Sequence, residues 1–414
     1  MKKMIFGATA LAGVVVFGSP GWSAQQPLSL DEAVTIALAA DDPTVVRFEE
    51  RAAAFDDQAI ADSQLSDPKL RFRFNNFPVN SFRLGQEPMT QIQLGLQQAF
   101  PRGKTLSLTR KRREAQAQAE RAKERLQERN IVLDTRTTWL ELFYWLGAKQ
   151  KVADSRQAVS ELLKVATAIF ATGRQTSQDV QRAELELSLL DDRLVNVDRR
   201  IEMAKADLAR LIGEMPARRP LTSSLPVLQM PPAEPALRDA LVRHPMVAVD
   251  DAMIEARKRD IDIAGEQYKP GWAVDANYGL RSAGRPDFAT LGVAIDLPFF
   301  TGKRQDRTLA AAKRNHQATR LDRDARLLEL NKSLERTYAD WRRLGERVTL
   351  YKKVVINRAS GTTQAALGAY RSGVSDFAEL IRSRLAELDA DLTLLRLQVN
   401  RAQAQARLLY LNGE

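Results

Sequence analysis

The stretch GKTLSLTRKRREAQAQAERAKERLQERNIVLDTRTTWLELFYWLGAKQKVADSRQAVSELLKVATAIF, residues 103–170, decides the fold. It contains no proline, only Gly147 interrupts it, and Ala, Leu, Gln, Glu, Arg and Lys dominate, all good helix formers. At 1.5 Å per residue it predicts a helix of about 100 Å over 104–170. No single compact domain can bury a helix of that length, so it must lie beside others like it. The break that opens it is Phe100-Pro101-Arg102-Gly103-Lys104.

The chain makes this helix twice. Phe299-Phe300-Thr301-Gly302-Lys303 opens a second proline-free run, expected as a helix over 303–370. The two runs end in matching phrases, Phe170-Ala171-Thr172-Gly173 and Tyr370-Arg371-Ser372-Gly373. The openings are offset by 199 residues (Gly103 to Gly302) and the ends by 200 (Gly173 to Gly373). Return helices are expected over 177–212 and 375–411. The chain is thus a duplication, 25–215 and 236–414, joined by a proline-rich linker over 216–235. With six prolines from Pro216 to Pro235, that linker is expected to be extended and unpacked.

Before each long helix the apolar period changes from 3.6 to 2. Leu70, Phe72 and Phe74 alternate with Arg71, Arg73 and Asn75, and Ile92, Leu94 and Leu96 with Gln91, Gln93, Gly95 and Gln97. In the second half Trp272, Val274, Ala276, Tyr278 and Leu280 alternate with Asp275, Asn277 and Arg281. Leu291, Val293, Ile295 and Leu297 alternate with Thr290, Gly292 and Asp296. These patterns predict strands at about 69–77, 89–98, 272–281 and 288–297, forming two hairpins. A soluble sheet with one face on a core gives the same alternation. Here neither half offers a helix to cover the apolar face. Strands of about ten residues, apolar on one side and polar on the other, suit a membrane β-barrel. Four strands cannot close a barrel, so several chains must share one.

Composition narrows the function. The net charge of +10 comes from basic and acidic residues alternating along the helices, a solvated face and not a nucleic-acid footprint. There is no cysteine, so disulfides and thiolate chemistry are excluded. His244 precedes a proline and His316 sits on a long helix, so both read as ordinary polar positions and no metal site is expected. No catalytic constellation or phosphate-binding glycine loop is present, so neither an enzyme nor a cofactor is expected. Residues 1–24 read as a secretory signal, with Lys2 and Lys3 ahead of an apolar run from Ile5 to Phe17.

In this order and duplication, the chain resembles the TolC-type outer-membrane efflux proteins. The resemblance rests on Leu28-Ser29-Leu30-Asp31-Glu32-Ala33, the hairpins after Asp67-Pro68 and Lys269-Pro270, and Phe-Pro-Arg-Gly-Lys at 100–104. It rests also on the Gly173 turn and on Tyr370-Arg371-Ser372-Gly373-Val374-Ser375-Asp376-Phe377. It implies a mostly α fold with a small β part. Three chains would build a twelve-stranded outer-membrane β-barrel set in lipid, continued by a periplasmic α-helical barrel. It implies as partners a periplasmic adaptor protein and an inner-membrane pump of the resistance-nodulation-division type. Asp67-Pro68-Lys69-Leu70, Asn76-Phe77-Pro78 and Met89-Thr90 resemble members paired with heavy-metal pumps. A type I protein-secretion channel shares the fold, and a periplasmic coiled-coil scaffold would explain the helices without the strands.

The family constricts its periplasmic end with acids after the second glycine turn, which places candidate gate residues at Asp376 and Glu379. Arg382, one helical turn on, and the matching Asp179 and Arg182 of the first half make a mixed gate of Glu–Arg pairs the expectation. The turns themselves, Gly173, Arg174, Gln175 and Thr176 with Gly373, Val374 and Ser375, are the candidate adaptor contacts.

Overall fold

The computed structural model describes residues 26–171 and 177–414. The leader expected over 1–24 and the first tip turn, Gly173, Arg174, Gln175 and Thr176, lie outside the described residues.

Each half begins with a short helix, side-chain capped in the first half only. Ser29 Oγ accepts the Glu32 amide at 3.2 Å and opens α1, Leu30–Ala39. Asp42 caps α2, Pro43–Ala61, with proline at the first helical position, where its missing N–H costs nothing. Strands β1, Lys69–Asn75, and β2, Gln91–Phe100, follow, and then α3, Thr105–Ala171. After the tip comes α4, Ser177–Ile212, and a single turn, α5, Glu214–Ala217. The second half repeats the order with α6, Glu234–Ala240, and α7, Pro245–Glu266. Next are β3, Gly271–Arg281, β4, Phe288–Asp296, and α8, Gln305–Leu350. A π turn at Tyr351–Val355 leads into α9, Ile356–Arg371, and the return helix α10, Phe377–Leu411, closes the chain.

At 67 residues α3 is about 100 Å long, and two shorter helices lie end to end along it. Antiparallel ion pairs fix their register. Arg113 meets Asp62, the C-cap of α2, at 2.8 Å, while Lys149 meets Asp198 at 2.6 Å on α4. Helix α10 also packs on α3, pinned by a two-pronged Arg396–Glu141 pair at 2.7 and 3.1 Å. Apolar side chains fill the seams. One cluster, with Trp139, Leu140, Leu142, Leu208 and Val399, lies midway along α3, and another, with Val152, Val159, Leu190 and Leu380, runs toward the tip.

Two expectations are corrected. The second long helix runs on from α8 into α9 through the π turn, so it is unbroken but not α-helical throughout. The offset that grows from 199 to 200 residues gives the cause. The second copy holds one extra residue between its glycine marks, and a π turn absorbs one residue without breaking the helix. The proline-rich linker is packed as well as extended. Leu28 N donates to Pro220 O at 2.8 Å, and Leu221, Leu225 and Leu228 rest on the central cluster. Leucine alternating with proline gives the linker an apolar side, which the prolines alone concealed.

Candidate functional site: channel wall and helical tip

The four strands form one antiparallel sheet in the order β1-β2-β3-β4, so the two hairpins join through β2 and β3. Among the described residues neither β1 nor β4 has a partner on its outer edge. One face carries apolar side chains left open to their surroundings, with Leu70 at 70%, Phe72 at 62% and Leu291 at 76% exposure. Phe100 stacks on Trp272 at 4.1 Å at the end of this face nearest the helices, where an aromatic girdle belongs.

The opposite face is polar, and glycines shape it. A Cβ on Gly95 would sit 2.1 Å from Asn277 Oδ1, one on Gly279 1.9 Å from Gln91 Oε1, and one on Gly292 2.6 Å from Asp275 Oδ1. Each glycine lets a polar neighbour lie flat along the wall. The periodicity identified this face, but only the strand register shows which residue lies over which glycine.

The joint between strands and helices is clasped across the two halves. Glu266, at the end of α7, accepts the Lys104 amide at 2.7 Å, and Arg102 donates to Gln267 O at 2.8 Å. The Lys269 ammonium beside Glu266 holds its carboxyl below the usual carboxylate range. Gly103 has φ +50, and a Cβ there would strike Glu266 Oε2 at 1.8 Å, which accounts for the glycine in Phe-Pro-Arg-Gly-Lys. Glu266 was not legible as a partner of that motif, since 162 residues separate it from Lys104.

At the far end, α9 closes with a left-handed glycine. Gly373 has φ +74, and Val374 N donates back to Ala369 O at 2.9 Å. Val374 is 83% exposed at the turn, and Phe377 beneath it packs edge-on against Tyr370 at 5.5 Å. Asp376 is the N-cap of α10 and accepts the Glu379 amide at 2.8 Å. Glu379 in turn holds Arg382 in an ion pair within the helix. Asp179 lies in the first turn of α4, and among the described residues it forms no ion pair with Arg182. Thus one of the two charge pairs is made within the chain and the other is not.

His244 differs from the sequence expectation. It is 1% exposed, and its Nδ1 accepts the Met246 amide at 3.2 Å to cap α7. Burial, together with the nearby Arg129 charge, pushes its pKa down to about 4. Among the described residues no group of three or more His, Asp or Glu side chains is placed to hold a metal ion. No described helix is long and apolar enough to cross a membrane.

An open-edged sheet with one lipid-suited face, carried on paired helices of about 100 Å, defines one stave of a strand-and-helix tube. The family model described as "outer membrane efflux protein" matches residues 236–414, the second half of the duplication. Solved structures extend the likeness over nearly the whole chain. The outer membrane protein VceC from Vibrio cholerae has 18% identity and a TM-score of 0.75, covering 93% of this chain and 96% of its own. The open state of the MtrE outer membrane channel of Neisseria gonorrhoeae has 15% identity and a TM-score of 0.75, covering 93% and 88%. A membrane protein from Pseudomonas aeruginosa has 15% identity and a TM-score of 0.79, covering 92% and 90%. No curated protein matches the chain in sequence. The second half of the chain thus matches the outer membrane efflux protein family, and nearly the whole chain shares the fold of these outer membrane proteins.

Proposed function

We propose that three copies of this chain form the exit duct of a tripartite efflux system in the outer membrane of a Gram-negative bacterium. Their sheets join edge to edge as a twelve-stranded barrel in the lipid, and their helices continue as a tube into the periplasm. A periplasmic adaptor docks at the tip, and an inner-membrane pump of the resistance-nodulation-division type supplies the energy. The chain itself is a passive, gated conduit. The observation that carries this reading is the sheet, whose unpaired β1 and β4 edges and open apolar face are unstable in water and satisfied in a closed barrel. Outer-membrane fractionation tests it: a detergent-stable trimer is expected, and recovery as a soluble periplasmic protein would refute it.

The tip is the gate in this reading. Glu379 and Arg382, with Asp376, Asp179 and Arg182, become charged rings once three copies are assembled, and the pairs hold the tip closed. Arg382→Glu should raise single-channel conductance in planar bilayers, and an unchanged conductance would remove the gate role. Gly373, Val374 and Ser375, with Gly173, Arg174, Gln175 and Thr176, are the adaptor contacts. Photo-crosslinking from Val374 should capture the adaptor, and capture only from barrel positions would count against that docking.

A further inference from the structure

The polar face of the sheet is unevenly charged, and the strand register shows where. Successive rungs across the four strands read Lys69–Gln97–Asp275–Gly292, then Arg71–Gly95–Asn277–Thr290, then Arg73–Gln93–Gly279–Phe288. Lys69 therefore shares its rung with an acid, whereas Arg71 and Arg73 share theirs with none. The two remaining charges on this face, toward either end, are already engaged. Asp296 lies 3.9 Å from Arg102 at the helix joint. Arg281, at the loop end, donates to Pro88 O at 2.6 Å and Pro286 O at 3.2 Å, and its guanidinium lies 4.4 Å over the Phe288 ring. Arg71 donates to the neutral Gln97 amide, and Arg73 makes no side-chain hydrogen bond or ion pair among the described residues. Both arginines are exposed on the polar face.

We propose that the barrel section prefers anions, and that Arg71 and Arg73 set this preference. The inference rests on the channel reading above: closing three sheets into a barrel turns the two unbalanced rungs into a band of six guanidinium groups facing the water-filled bore. Rings of fixed charge are a general basis of pore selectivity, with basic rings favouring anions. The exposed arginines carry the charge that no acid on their own rungs offsets. A bare divalent metal cation meets this band as a barrier, whereas an anionic or neutral solute does not. The barrel thus favours an anionic or uncharged cargo over the heavy-metal cations suggested by Asn76-Phe77-Pro78.

The test is the reversal potential of the purified trimer in planar bilayers under a potassium chloride gradient. It is read at low salt, where the Debye length of about 10 Å at 0.1 M leaves the bore under the influence of its wall. The wild type should reverse toward the chloride potential. The double variant R71Q/R73Q should lose that preference, R71K/R73K should keep it, and Lys69→Gln should alter it less than the glutamine pair does. A conducting wild-type trimer that selects potassium would overturn the inference alone. So would an R71Q/R73Q trimer that conducts with the wild-type reversal potential. A preparation that forms no trimer and gives no discrete conductance overturns the channel reading, and this inference with it.

Discussion

Acidification should loosen the middle of this molecule through one side chain, His244. The ring caps α7 through Nδ1 and packs edge-on against Tyr410 at 5.1 Å, beneath the α10 end of the chain. Burial and the Arg129 charge oppose its protonation, while the Tyr410 main chain favours the charged ring without a well-formed hydrogen bond to Nε2. The folded pKa of about 4 lies below the ordinary histidine value of 6.5. The unfolded chain therefore binds the proton first, and the stability from a neutral His244 is present above pH 6.5 and lost as pH falls toward 4. At 1.36 kcal/mol per pKa unit, the shift is worth about 3 kcal/mol per chain. His244→Asn keeps an acceptor for the Met246 amide but does not titrate. Thermal unfolding of the detergent-solubilised protein at pH 7.5, 6, 5 and 4 should show the wild type losing about 3 kcal/mol more than the variant across the window. Equal pH slopes in the two proteins would refute the reasoning.

The same framework makes further predictions. Deleting Val354 removes the residue that the π turn absorbs, so the trimer should fold and keep its melting temperature, whereas deleting Val152 from the uninterrupted α3 should abolish assembly; gel mobility of the detergent-solubilised trimer reads both. Arg396→Lys loses the fork to Glu141 and the stacking over Tyr144, whose ring centre is 3.4 Å from the guanidinium carbon, and should cost about 2 kcal/mol by denaturant titration. Gly95→Val should push the Asn277 side chain off the wall and into the bore, lowering single-channel conductance while leaving the trimer intact.

Much of this architecture was legible because period and length are properties of the chain. The alternation Leu70-Arg71-Phe72-Arg73-Phe74 gave the two faces of β1, and the absence of proline from 104–170 gave α3. The π turn left a trace as well, in the offset that grows by one residue between the glycine marks. What stayed hidden depends on contacts distant in sequence. His244 read as an ordinary pre-proline polar residue because its burial is made by Tyr410, at the other end of the second half. The linker read as unpacked because its leucines face a core assembled from α1, α3 and α4. Charges at the tip were legible as helical neighbours, yet sequence spacing treated Asp179–Arg182 and Glu379–Arg382 alike, and only the second pair forms within the chain. The charge band of Arg71 and Arg73 required the β2–β3 register, which joins residues from opposite halves.

The central claim is that the open edges β1 and β4 are joined between chains, three to a barrel. A chain without cysteine makes this directly measurable. Phe72→Cys on β1 is combined in turn with Leu291→Cys, Val293→Cys or Ile295→Cys on the same face of β4, and native outer membranes are oxidised before denaturing electrophoresis. At least one pair should give covalent dimers and trimers with nothing larger, and Phe72→Cys alone should remain monomeric. A ladder extending beyond three chains, or monomer with all three pairs, would contradict the account.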